Sequence, residues 1–396
     1  MHKILFMIDH RSVAMMRCTN RSLQTHTNDP DFESEYSSRV GSGLVHISPY
    51  SSYYLSYNPS GDFRSLKMTV WKTHILGSCS GFLLLLFDDD LLCVVNPLTK
   101  KFRFVNQSRL MRLSRVLNYA HHRQKRKHLG FAVDRTTKRF KIVHMIDLGE
   151  TYKFEINAGN SWRRPKTKLT CYSSDLMKTP VYLDGSLHWL RNDGSIVAFN
   201  LETEQARLIP IKFPQVNSLK TLFAVGNRRL TLISATEKDI YVYALESILN
   251  DPKWVLVNQI MNVVADIKRP SYWNLEAYEG KCLVLRENSK REEIGLYYNR
   301  VVHVYDLTTN KRVFMDSIPG WFNVNQVFFQ FTPSTSYVVG LDEILPCDDT
   351  CISSLSTIMA MVDERSSEKV ENQLRKRSAE HNLLQHQSAY KKTRLV

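Results

Sequence analysis

Short apolar runs separated by turn-forming residues recur along most of this chain. The longest uninterrupted run, Phe82-Leu83-Leu84-Leu85-Leu86-Phe87, has six residues, the length of a buried strand. Elsewhere large residues alternate with polar ones, as at Phe102 and Phe104 or at Phe140, Ile142 and His144, which is the period-two pattern of a half-buried strand. Runs of this kind end at Asn or Asp followed three positions later by Thr: Asn96 with Thr99, Asp134 with Thr137, Asn200 with Thr203, Asp306 with Thr309. Asn and Asp side chains accept hydrogen bonds from backbone N–H groups two residues on, and Thr bonds locally as well, so each site closes a hairpin. The four are therefore expected at equivalent turns.

Asn58, in the looser copy Tyr57-Asn58-Pro59-Ser60-Gly61, precedes Asn96 by 38 residues, and Asn96 precedes Asp134 by 38. Gly81 and Gly185 each stand fifteen residues before their turn and open a further strand, and Gly226 and Gly280 mark similar starts. Three or four short antiparallel strands in ~40–50 residues is the size of one propeller blade. The longer gaps, from Asp134 to Asn200 and from Asn200 to Asp306, hold degenerate copies near Tyr152-Lys153-Phe154-Glu155-Ile156 and Tyr241-Val242-Tyr243. Residues 44–345 are thus expected to form one mainly β domain, a propeller of about six blades. An array of β-sandwiches is the structural alternative, and a closed ring hides sheet edges better.

No run approaches the ~20 apolar residues of a membrane-spanning helix. Ile4 to Ile8 is cut off by Asp9, His10 and Arg11, too short for a secretory signal. Seven scattered cysteines do not form a disulfide framework. A reducing compartment, nucleus or cytoplasm, is expected. The net charge is +14, and residues 109–168 hold 16 Lys and Arg against four acids. Inside this stretch Arg123, Lys125, Arg126 and Lys127 form a basic cluster that could read an acidic partner or nucleic acid, and a solvated loop is the bland alternative. Such a concentration of charge predicts one distinctly basic face.

Chemistry is sparse. Glycine-rich phosphate loops, G-x-S-x-G and H-E-x-x-H are all absent, so catalysis has no anchor, and neither catalytic residue, cofactor nor metal is expected. Cys347 and Cys351 lack two further ligands for a zinc site. Asp88-Asp89-Asp90 reads as a hairpin tip. His188 and His303 lie in strands where core packing is the default reading, and the tryptophans read as blade-packing residues. From residue 346 onward serine and then charge accumulate, giving a polar tail, 346–396, either disordered or helical.

At the N-terminus Val13, Met15, Met16, Cys18 and Leu23 are spaced as on short amphipathic helices. Ile4-Leu5, Arg11-Ser12-Val13, Cys18, Arg21-Ser22-Leu23 and Asp29-Pro30-Asp31-Phe32 follow in the order of an F-box, which residues 1–38 resemble in part. The family's opening Leu-Pro would fall before Met1, and its usual Trp is Leu23, so this reads as a truncated box. Gly77-Ser78-Cys79-Ser80-Gly81-Phe82-Leu83, Leu129-Gly130-Phe131-Ala132-Val133-Asp134 and Tyr182-Leu183-Asp184-Gly185-Ser186-Leu187-His188-Trp189 are similar to the plant F-box-associated domain, considered kelch-like, although the kelch Gly-Gly doublet is absent. The resemblance implies a non-enzymatic substrate-recognition subunit of a cullin-type (SCF) ubiquitin ligase complex. Ile4, Leu5, Ile8, Val13, Met16 and Leu23 would then dock a Skp-type adaptor, and the propeller loops would bind a target protein. The alternative is a nucleic-acid-binding or other protein-interaction propeller that uses residues 109–168 without a ligase.

Overall fold

The computed structural model describes residues 20–27, 43–48, 51–57, 63–68, 73–87, 91–111, 128–134, 139–159, 161–171, 179–214, 220–262, 272–278, 280–288, 299–319, 328–334 and 349–362, with the single positions 13, 16, 29, 32, 137, 176 and 338. A helix, α1 (Arg21–Thr27), precedes the strands. The strands fall into six antiparallel sheets. The first contains β1 (Gly43–Ser48), β2 (Ser51–Tyr57) and β3 (Phe63–Met68); the second β4 (Thr73–Cys79), β5 (Phe82–Phe87), β6 (Leu91–Asn96) and β7 (Lys101–Asn106). The third contains β8 (Leu129–Asp134), β9 (Arg139–Asp147), β10 (Thr151–Asn157), β11 (Trp162–Arg163) and β12 (Lys168–Thr170). The fourth contains β13 (Val181–Leu183), β14 (Ser186–Leu190), β15 (Ile196–Asn200) and β16 (Ala206–Ile209), and the fifth β17 (Lys220–Gly226), β18 (Arg229–Ala235), β19 (Asp239–Glu246) and β20 (Lys253–Met261). The sixth contains β21 (Tyr272–Tyr278), β22 (Cys282–Asn288), β23 (Asn299–Asp306) and β24 (Lys311–Pro319).

One more strand, β25 (Phe329–Phe331), returns to the first sheet and pairs with β1, Val45 opposite Phe329 and Gly43 opposite Phe331. The inner strands meet in order around the molecule: β1 and β25 against β4, β4 against β8, β8 against β13, β13 against β17, β17 against β21, and β21 against β25. The circuit closes, so the domain is a β-propeller rather than a linear array of sandwiches.

Face-to-face packing of neighbouring sheets explains the sequence pattern. Along β5, Leu83, Leu85 and Phe87 enter the cluster shared with the first sheet, whereas Phe82 and Leu84 enter the cluster shared with the third. Successive strand residues point to opposite faces, and both faces are covered here, so an unbroken apolar run is the stable solution. The same division recurs at the fourth sheet, where Leu187, Trp189 and Phe199 face the third while Leu190, Ile196 and Ala198 face the fifth. Each fully buried Leu or Phe contributes about 1.5–3 kcal/mol, so each of the five seams from the first sheet to the sixth is a core in its own right.

The expected hairpin chemistry is present at all four marker residues. Asn96 Oδ1 accepts the N–H groups of Leu98 (3.1 Å) and Thr99 (3.2 Å), and Asn200 Oδ1 those of Glu202 (3.0 Å) and Thr203 (2.8 Å). Asp306 Oδ1 accepts from the Thr308 and Thr309 N–H groups, and Asp134 from Thr137. Equivalence fails at one of them. Asn96, Asn200 and Asp306 end the third strand of their sheets, but Asp134 ends β8, the innermost strand of the third. First and third strands of a blade run parallel, so the turns after them open on the same side of the ring; local turn chemistry alone could not separate them. In the fourth and sixth sheets the two kinds of turn are tied together, Leu201 N–H to the Gly185 carbonyl (2.9 Å) and Leu307 N–H to that of Lys281 (2.8 Å).

The region expected as a polar tail opens with α2 (Asp349–Val362), and this helix lies against β2 and β3. Cys351, Leu355 and Ile358, spaced i, i+4, i+7, are buried in the cluster between the first and second sheets, with Met359 beside them. Ser353 and Ser356 are exposed on the other side, which is why composition read as tail while the helical stripe went unnoticed.

Two glycines give a paired test. Both have positive φ, Gly81 at +80° and Gly185 at +74°, but a Cβ on Gly81 would stand 2.4 Å from Ser334 Cβ and 2.7 Å from its backbone nitrogen, whereas a Cβ on Gly185 would meet nothing within 4 Å. Gly185→Ala is expected to cost about 1–2 kcal/mol of left-handed backbone strain, and Gly81→Ala about 3 kcal/mol or more because the segment after β25 must also shift. Denaturant unfolding of both variants reads the difference; equal losses would show that Ser334 is not seated on this turn. Leu355→Ala should lower stability by about 2–4 kcal/mol if α2 belongs to the domain core.

Candidate recognition surfaces

Of the residues expected to dock an adaptor, Val13 is fully buried, Met16 and Leu23 are half-buried, and Ile4, Leu5 and Ile8 lie outside the described residues. Leu23 sits on α1, whose start is capped by Asn20 Oδ1 accepting the Ser22 N–H at 2.7 Å. At its other end the Thr27 hydroxyl donates to the Leu23 carbonyl at 2.7 Å. Phe32, the aromatic residue of Asp29-Pro30-Asp31-Phe32, is buried, its ring centroid 5.4 Å from that of His26. The helix and the Asp-Pro-x-Phe anchor are therefore packed together.

The basic cluster Arg123, Lys125, Arg126 and Lys127 lies outside the described residues, and so does Asp88-Asp89-Asp90. Of the other described bases in the 109–168 stretch, Arg109, Arg139, Lys153, Lys166 and Lys168 are exposed, and three are engaged individually. Arg163 forms a two-pronged ion pair with Glu204 on the neighbouring sheet, its Nη1 donating at 2.6 Å. Arg164 Nε donates to Glu155 Oε1 at 3.0 Å, and Lys141 Nζ to the Leu201 carbonyl at 2.5 Å. These pairings work against the expectation of one free basic face. Burial alone would raise the Glu155 carboxyl, but the His144 ring beside it and hydrogen bonds from Ser108 and Arg164 hold it at about 2. His144 Nδ1 lies 3.6 Å from Glu155 Oε2 on the adjacent strand. The cluster clamps the second sheet to the third beneath the start of the basic segment.

His188 is a core residue. Cross-strand from Ala198, it shares the face turned toward the fifth sheet and is only 2% exposed. Burial, joined by the charge of Arg207, lowers its pKa to about 4 against the pull of backbone bonds to Val181 and Ser186. His303 is wedged between Trp273 (4.9 Å) and Phe314 (5.8 Å), with the Arg312 guanidinium 4.9 Å over the Trp273 ring. Burial and then Arg312 lower its pKa also. Neither histidine meets a partner suited to acid-base chemistry. Among the described residues no group of three or more His, Cys, Asp or Glu is placed to hold a metal, and Cys351 faces the core.

One buried ionic group had no signal in the sequence. Glu276 Oε1 accepts Lys220 Nζ at 3.0 Å from the fifth sheet and Arg286 Nε at 2.8 Å from the sixth. Glu276 occupies a bulge in β21, between Leu275 and Ala277. Bulges re-aim side chains, and a carboxylate so buried is tolerable only with its cations in place. The three positions are scattered in sequence, so only the meeting of β17, β21 and β22 reveals them.

Ring-closed and mainly β, the chain is by its architecture a β-propeller that holds its neighbouring sheets by their faces and leaves the turns at two open ends. The F-box associated beta propeller domain matches residues 45–336. An Arabidopsis thaliana F-box protein is 51% identical over 353 residues, covering 84% of this chain and 83% of that one. Two F-box/kelch-repeat proteins of the same plant are 46% identical over 358 residues (86% and 77% covered) and 38% identical over 395 (91% and 93% covered). The chain belongs to the F-box associated β-propeller family and is a plant F-box protein.

A pH prediction follows from His188. Its pKa falls from 6.5 to about 4 on folding, so the unfolded chain binds the extra proton and stability is lost as pH drops from 6.5 toward 4. The loss approaches about 3 kcal/mol at 1.36 kcal/mol per pKa unit. His188→Leu should flatten the stability profile across that window in denaturant titrations, and an unchanged slope would contradict the assignment.

Proposed function

We propose that this protein is the substrate-recognition subunit of a cullin-type (SCF) ubiquitin ligase complex, acting in the nucleus or cytoplasm. The observation that carries the reading is membership of the F-box associated propeller family together with relatives that are F-box proteins across most of their length. Residues 1–38 dock a Skp-type adaptor through Ile4, Leu5, Ile8, Met16 and Leu23, with buried Val13 supporting the segment from within. The ring, stiffened by packed cores between successive sheets from the first to the sixth, presents its turns and connections to a target protein. Its contribution to ubiquitin transfer is proximity: a rigid bridge holds target lysines near the charged enzyme and raises their effective concentration. The alternative, a nucleic-acid-binding propeller working through residues 109–168, would have to act without Lys141, Arg163 and Arg164, which are committed to partners within the chain.

Co-expression with a Skp-type adaptor should yield a complex that survives purification. Leu5→Asp and Ile8→Asp remove apolar contact worth about 1.5–3 kcal/mol each and should weaken capture at least tenfold. The melting temperature of the ring should not move. Failure of the parent chain to capture any adaptor would sink the reading, as would capture indifferent to both substitutions. Proximity labelling with the proteasome inhibited would then identify the target.

A further inference from the structure

Exposed large apolar side chains are not spread over the ring. Of the nine among the described residues, Leu249, Val255, Leu256, Val257, Met261, Val313 and Phe314 belong to the outer parts of the fifth and sixth sheets. Four of them lie on one strand, β20, the outermost of its sheet and hydrogen-bonded on one side only among the described residues. Val255, Leu256 and Val257 are consecutive and 38–54% exposed, and Met261 is 79% exposed. Val257 is the extra residue at a bulge, where Leu256 pairs with Tyr243 and Asn258 with Val242.

Outer strands are normally guarded against pairing by charge, proline, shortness or a bulge, and of these β20 has only the bulge at Val257 and one charge at its first position. The others here are guarded. β7 carries Lys101 and Arg103, β16 has four residues including Arg207, and β11 and β12 have two and three. β24, as long as β20, carries Lys311, Arg312, Asp316 and Pro319. By contrast β20 (Lys253-Trp254-Val255-Leu256-Val257-Asn258-Gln259-Ile260-Met261) has nine residues, among them the strand formers Trp254, Val255, Val257 and Ile260, with a single charge at its first position, and that Lys253 pairs with Glu246 at 3.0 Å.

The geometry points to β20 as a seam between two copies of this chain, paired antiparallel edge to edge. Charge selects the occupant. In antiparallel self-pairing the two Lys253 residues fall at opposite ends of the seam, so no like charges meet, and the uncharged stretch from Val255 to Gln259 faces its own copy. A two-fold seam uses the same edge on both copies and is then complete, which stops assembly at the dimer instead of a fibre. The proposal does not depend on the ligase reading. If both hold, one assembly carries two target-binding rings and gains avidity for multivalent targets.

Sedimentation velocity of the full chain over a wide concentration range tests this. The parent protein should shift from 46.0 kDa to twice that mass as concentration rises. Val257→Lys and Leu256→Lys should each raise the dissociation constant at least about tenfold by placing a charge on the seam. Leu148→Lys, at an exposed apolar position on the third sheet, should leave it unchanged. Circular dichroism melts confirm that all three variants remain folded. A parent chain monomeric at every concentration overturns the proposal. So does a dimer indifferent to both β20 substitutions, or association lost equally in Leu148→Lys, which would mark it as non-specific.

Discussion

Everything in this ring depends on one short pairing, that of β25 with β1. Three residues at the far end of the domain supply the inner strand of the first sheet, and without them the circuit of face-packed sheets would have two open ends. The contact is small in hydrogen bonds but not in burial. Phe331 is completely enclosed, in a cluster with Val45, Leu83, Phe87 and Phe104 that also receives α2. Beyond the strand, Asn96 Nδ2 donates to the Ser334 carbonyl at 2.9 Å, across 238 positions of sequence, and Gly81 leaves just enough room for Ser334 itself. Closure is thus enforced by a strand, a hydrogen bond and a helix, all from the last part of the chain and all seated on its first two sheets.

Such long-range closure has consequences for folding and rigidity. Each sheet forms from contacts close in sequence, but no sheet has both faces covered until its neighbours arrive, and the first and last must wait for each other. Non-local contacts of this kind make folding slow relative to helical domains. The finished ring gains stiffness in return. A seam cannot open without exposing a core such as that of Phe154, Trp189 and Phe199, in which the Phe154 ring meets both of the others. Specific ties add to this, among them Lys220–Glu276–Arg286 between the fifth and sixth sheets and Arg163–Glu204 between the third and fourth. The scaffolding role proposed above, holding a target at fixed distance from a transfer enzyme, needs that stiffness more than it needs any reactive group.

The described polar clusters fit this division of labour. Glu155, His188, Glu276 and His303 sit in the seams, and each is perturbed or clamped by burial and by partners that hold sheets together. Glu155, His188 and His303 resemble catalytic residues only in their pKa shifts, since structural ion pairs and buried imidazoles perturb titration as well.

The sequence by itself determined the strand content, the chemistry of the turns at Asn96, Asp134, Asn200 and Asp306, and the family, because these are written in local spacing and in short motifs. Apolar runs such as Phe82 to Phe87 announced strands with both faces covered, and Asx side chains announced hairpins, since both effects act within a few residues. Tertiary structure alone decided that Asp134 lies after an inner strand instead of a third one, because the same turn suits both places. It also decided that the serine-rich stretch after Asp349 is a docked helix: composition sees every residue, but burial selects Cys351, Leu355 and Ile358. The Glu276 ion group was equally invisible, for an ion pair between distant strands leaves no periodic trace along the chain. Closure of the ring was the last of these decisions, since which edge meets which is a property of twisted sheets packed in a circle and not of any local stretch of residues.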